Sequence, residues 1–139
     1  MKHLYIIMFS ILLMSCNETN HAVVKVDDEL SSNIKFLIEK YVENDFDVSD
    51  FYTDDVVTRI NNLEFTGYEN LMQGFQAHHD VLYDNITIED LYVHTNYFTS
   101  GDIWSNAWFT WKGTGKTTGE EYSNSCLLYT SPSPRDLAV

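Results

Sequence analysis

Proline is nearly missing from this chain. Of 139 residues two are proline, Pro132 and Pro134, both close to the C-terminus. Residues 1–131 therefore contain nothing that forbids long unbroken helices or strands. Cysteine is equally scarce. Cys16 and Cys126 are the two, which rules out a disulfide framework as the basis of the fold. Basic residues are few, with Lys+Arg 8 against Asp+Glu 21 and a formal charge of -13. That balance argues against a nucleic-acid partner and against direct attraction to anionic headgroups. The longest apolar run, Leu4–Met14, is too short to span a bilayer. There is no phosphate-binding loop, no Cys/His cluster at metal-ligand spacing, no nucleophile–base–acid pattern and no internal repeat.

What is present is concentrated in Asp102–Glu121, which holds all three tryptophans. Ile103, Ser105, Ala107, Phe109 and Trp111 alternate with Trp104, Asn106, Trp108 and Thr110. A strand with large side chains on both faces is covered on both, by helices on one side and more protein on the other. Gly113-Thr114-Gly115-Lys116 reads as a turn into a second strand.

The N-terminus reads as an address. A short basic start precedes the apolar run, as in a signal peptide. Leu13-Met14-Ser15-Cys16 resembles the bacterial lipobox, in which the cysteine thiol receives diacylglycerol and the chain is cut before it. The resemblance implies a signal peptide over 1–15, lipid attachment at Cys16 and a lipidated tether over 16–27. Several acyl chains provide stable anchoring where one does not. The tether has no periodicity and is expected to be loosely ordered.

The C-terminus breaks in composition. Cys126–Asp136 reads CLLYTSPSPRD and resembles, residue for residue, one reading frame of a transposon-end sequencing adapter. Residues 126–139 are therefore expected to be a non-native tail. The domain is then 28–125, with its last strands truncated and Cys126 no part of a site.

Between these ends, Asp28–Val42 is a helix. Leu30, Ile34, Leu37, Ile38, Tyr41 and Val42 recur at helical spacing, and Asp27 and Asp28 suit its N-terminal end. Glu43–Tyr52 suggests a short second helix that buries Phe46, Phe51 and Tyr52. Val56–Ile60 and Leu63–Phe65 are strands about Asn61-Asn62. Thr66-Gly67-Tyr68-Glu69 fits a capping box for a helix running to about Leu82. Ile86–His94 is a strand with an irregularity near Glu89-Asp90. The class is α+β, with helices on one face of an antiparallel sheet.

This order resembles the NTF2-like superfamily, in its SnoaL-like branch, over about Leu30–Asn124. The carriers are the long first helix, Phe51-Tyr52-Thr53-Asp54-Asp55-Val56, Phe65-Thr66-Gly67-Tyr68-Glu69-Asn70-Leu71, and Trp108–Gly119 with its Trp-Lys-Gly-Thr-Gly segment. The resemblance implies a cone in which a curved antiparallel sheet wraps about three helices around an apolar pocket. It also implies frequent homodimers through the outer sheet face. Members include isomerases, cyclases, dehydratases and non-enzymatic assembly domains, so the fold does not give the function.

Tyr41, Ile60, Phe75, His79, Phe109 and Trp111 are the expected pocket lining. Tyr41 and His79 are the candidate catalytic groups, each with a plain packing role as the alternative. Ketosteroid isomerases of this superfamily place an oxyanion-binding tyrosine where Tyr41 stands. Their base position falls on Ile60, which carries no proton, so that mechanism is not expected. His78 and His79 are helical neighbours about 100° apart and do not share an ion. Asp90 and His94, four apart on a strand, are expected on one face. Arg59 should pair with a surface acid. Trp104 and Trp108 form either a stacking platform for a ring or a dimer face.

The expected function is a lipid-anchored domain of the bacterial envelope that binds a small apolar or ring-containing molecule or serves as an assembly module. The alternative is an acid–base enzyme using the cone. No metal, cofactor or nucleic acid is expected, and the expected partners are membrane lipid, a small apolar ligand and a second copy of the chain.

Overall fold

The computed structural model describes residues 21–130. The expected signal peptide 1–15, Cys16, the start of the expected tether and residues 131–139 lie outside the described residues. The order is strand β1 (Ala22–Lys25), helix α1 (Glu29–Val42), strands β2 (Val57–Ile60) and β3 (Leu63–Thr66), helix α2 (Tyr68–Ala77), then strands β4 (Tyr83–Phe98), β5 (Ile103–Gly115) and β6 (Glu121–Thr130). The main sheet runs β1-β4-β5-β6, every pair antiparallel, and β2-β3 form a separate hairpin. The class is α+β, as the sequence pattern predicts.

Helix α1 starts where Asp28 caps it, its carboxylate accepting from Ser31 N at 3.3 Å. Ile34 and Ile38, one turn apart, bury against Val93 and Ala107 on the inner face of the sheet. The small side chains at Ala107 and Ser105 let the helix approach. There Ser31, Thr95 and Ser105, all buried, form a hydroxyl chain with both links at 2.9 Å. Such a chain is tolerated in a core because each hydroxyl has a partner.

A second cluster of Val48, Leu71 and Met72 joins α1 to α2, with Leu37, Phe46, Phe65 and Phe75 packed around it. The expected second helix is only a 3-10 turn, Ser49–Phe51. Two α-helices, not three, stand among the described residues. Phe46, Phe51 and Tyr52 nevertheless reach this cluster, so the apolar points were read correctly although the element was not.

The capping box does not form. Gly67 occupies the cap at φ 88° with no side-chain cap bond, and its N–H donates to Val56 O at 2.7 Å. That close return to the β2 lead-in needs positive φ, which glycine enters freely. A Cβ there would stand 3.3 Å from Asp54 O.

Strand β4 carries two register shifts, between Asp84 and Thr87 and between Glu89 and Tyr92, with Asn85 and Asp90 at positive φ. The second is the expected irregularity. It makes Asp90 an extra residue, so Asp90 and His94 do not share a continuous period-2 face, and that expectation fails. Asp84-Asn85 lies inside the strand.

Gly113–Lys116 is not the turn. Strand β5 continues through Gly115 and the turn follows at Lys116–Glu120. The glycines serve packing instead. A Cβ at Gly113 would meet the Trp111 ring at 2.7 Å, and one at Gly115 would meet Thr118 Oγ1 at 2.6 Å and the Tyr122 ring at 3.0 Å. Strand β6 passes Ser125 without a break and pairs Cys126 with Phe109 and Leu128 with Ala107. Leu127, Leu128 and Tyr129 are all exposed, so what holds this stretch to β5 is the backbone ladder. The tether is not loose throughout, because Ala22–Lys25 pairs with Phe98–Thr95 of β4.

Candidate functional site

The inner face of the sheet meets α1 and the end of α2 at Tyr41. The Trp111 indole donates to the Tyr41 hydroxyl at 3.1 Å, and that hydroxyl lies 3.0 Å from His78 Nδ1. The polarity of the first link follows from the donor inventory: an indole N–H only donates, so the Tyr41 oxygen accepts it, and the same hydroxyl shares a second hydrogen bond with His78 Nδ1. Burial pushes the His78 pKa down, and neighbouring His79 pushes the same way. Burial pushes the Tyr41 pKa up, against the opposing effect of the Trp111 bond.

Aromatic rings close around this pair. Tyr41 meets Phe75 and His79 edge-on at 5.3 and 5.1 Å. Tyr83 lies edge-on to Trp111 at 4.8 Å and to His78 at 5.9 Å. His79 touches Phe46, and its Nε2 is buried without a hydrogen-bond partner among the described residues.

The expected lining separates into three groups. Tyr41, Phe75, His79 and Trp111 come together. Phe109 packs two residues along β5 against the Ile34–Ile38 cluster. Ile60 is not brought to the site. It is partly buried in the β2-β3 hairpin and belongs to neither core cluster. The hairpin leaves the main sheet, which a linear count along the strand could not reveal.

Of the two neighbouring histidines, His78 makes the hydrogen bond to Tyr41, while the His79 ring lies edge-on to it. A π-turn follows at His78–Leu82, where Tyr83 N–H donates to His78 O. His78 also faces Tyr83, a residue the sequence did not single out; its position next to the helix end was the available signal.

The interior beside Tyr41 is nearly full. A cavity of about 10 Å³ remains between Leu37, Tyr41, Phe46, Val48, Met72 and Phe75, room for about one water. Tyr52, partly buried at its rim, has its hydroxyl pKa pushed up to about 12 by desolvation. An open groove of about 180 Å³ lies elsewhere, between Val81–Tyr83 and the β5–β6 turn. No group of three or more potential metal ligands exists among the described residues.

The outer face of the sheet is different. Trp108 is paired across the strands with Tyr92 on β4 and Leu127 on β6, and all three are about half exposed. Trp104, four residues away, lies on the same face beside Asn96. His94, opposite Asn106, sits between these rows, its ring 5.5 Å from Tyr92. Arg59 pairs with Glu64 at 2.7 Å on the exposed hairpin, as expected. No helix among the described residues is long and apolar enough to cross a membrane. No family model, curated protein or solved structure gives a significant match to the chain.

Proposed function

We propose that this chain is an NTF2-like domain of the SnoaL-like kind, anchored in the bacterial envelope through acylated Cys16. It works as an assembly module, pairing with a second copy through the outer face of the four-stranded sheet. The observation that carries the reading is where apolar surface stays uncovered. The interior beside Tyr41 has room for one water, whereas a ring-sized ligand needs a pocket of hundreds of Å³. Outside, Tyr92 and Trp108 present paired rings at 52% and 49% exposure. Aromatic residues on an open face are the composition of interface centres. A two-fold axis through this face would set each Trp108 against the same patch of its partner.

Sedimentation equilibrium of the Cys16→Ala protein tests the pairing without the anchor. The expected result is a dimer that Trp108→Lys converts to a monomer. A monomer at all concentrations defeats the assembly reading.

The second reading is acid–base catalysis, and the Trp111–Tyr41–His78 chain favours it. A phenol held between a fixed donor and a neutral imidazole has the parts of a proton relay. In this reading His78, and not His79, is the partner of Tyr41. Turnover lost in both Tyr41→Phe and His78→Gln, with the fold intact, would support it over assembly.

A further inference from the structure

We infer that the β4–β5 hairpin end of the sheet rests on the membrane, with Trp104 in the headgroup layer. This rests on the reading of Cys16 as the acylated residue. The tether is short where it matters. Ala22–Lys25 is locked to β4, and His21 O accepts from Thr99 N–H at 2.9 Å. Only five peptide steps separate His21 from Cys16, at most about 18 Å of extended chain. The hairpin end therefore cannot leave the neighbourhood of the bilayer surface.

Two orientations satisfy that reach, with either the hairpin end or the β1 edge turned to the membrane. The edge is disfavoured because β1 leaves backbone N–H and C=O groups without sheet partners, and an open edge is not tolerated against hydrocarbon. Beyond β1, moreover, the chain continues into Asp27, Asp28 and Glu29. The hairpin end fits better. Across residues 96–105 the single charged side chain is Asp102. Val24, Asn96 and Trp104 form one cross-strand row on the outer face there, with Val24 at 55% exposure. The opposite end of the sheet carries Asp84, Lys116, Glu120 and Glu121. Trp104 is partly exposed and stacks on Tyr129 at 6.1 Å, and such an aromatic pair is the kind of side-chain group that settles at the interface. Trp108, four residues further along β5, stands about 13 Å above Trp104, beyond a headgroup layer of about 7 Å.

The test uses the full acylated chain in vesicles of zwitterionic phosphatidylcholine brominated close to the headgroup. Trp104→Phe and Trp108→Phe both alter side chains on the outer face, away from the packed interior. Bromine is expected to quench the tryptophan fluorescence of the wild-type and Trp108→Phe proteins, and Trp104→Phe should lose most of that quenching. Absence of acyl label on Cys16 overturns the anchoring reading and this inference with it. Acyl label with quenching that Trp104→Phe leaves unchanged, or with no quenching at all, overturns this inference alone.

Discussion

The Trp111 indole N–H points at the Tyr41 hydroxyl from 3.1 Å, joining α1 to the centre of the sheet across 70 positions of sequence. Trp111 is 9% exposed, so an indole left without its acceptor would be poorly hydrated. Tyr41→Phe should lower stability by about 1–3 kcal/mol, because it leaves both the indole and His78 Nδ1 without their partner. Urea denaturation measures this. A double-mutant cycle with Trp111→Phe should give a coupling of about 0.5–1.5 kcal/mol, and additive effects would contradict the bond.

His78 gives the fold a pH dependence of known sign. Its folded pKa lies below the ordinary 6.5, so the unfolded chain binds more protons as the pH falls through that value. The contribution is fully present above about pH 6.5 and is lost on acidification toward the folded pKa. Denaturation midpoints of the wild type should decline below about pH 6.5 more steeply than those of His78→Gln. Parallel curves would contradict the assignment of a neutral His78.

Gly113 sets the position of Trp111. A Cβ there would stand 2.7 Å from the indole ring and 3.4 Å from Tyr83 Cβ. Gly113→Val should destabilise by about 1–3 kcal/mol through overpacking, despite the better strand propensity of valine. Trp111 fluorescence should shift with it. An unchanged or raised midpoint would mean that the ring has room to move.

Thr95 is the middle of the buried hydroxyl chain. Thr95→Val keeps the shape but leaves the Ser31 and Ser105 hydroxyls without their shared partner, at a cost of about 1–3 kcal/mol. Combining it with Ser31→Ala and Ser105→Ala should recover part of that loss, since removing all the polar atoms removes the desolvation penalty. Thermal midpoints of the single and triple variants decide it.

Cys16→Ala should abolish metabolic labelling with radioactive fatty acid in a bacterial host. Unchanged labelling would remove the basis for the anchored reading.

Local chemistry made much of the architecture readable. Asp28 before an amphipathic run specifies where α1 begins. The alternation through Ile103–Trp111 specifies which side of β5 is buried, because a strand has only two faces. Even the slip at Glu89-Asp90 is visible as a break in that period. The sequence by itself therefore determined the α+β class, the start of α1 and the buried side of β5, while the outer face, expected to be covered, leaves Trp108 about half exposed. Tertiary structure decided the rest. Gly113 looks like a turn residue until the Trp111 ring is seen lying over it, and turn propensity carries no information about a neighbour's ring. Ile60 sits on a strand of the right kind, yet its hairpin departs from the main sheet. The choice of His78 as the partner of Tyr41 depended on where α1 and the end of α2 converge, which a helical wheel does not encode. Periodicity reports burial, whereas hydrogen-bond partners depend on where distant backbones converge.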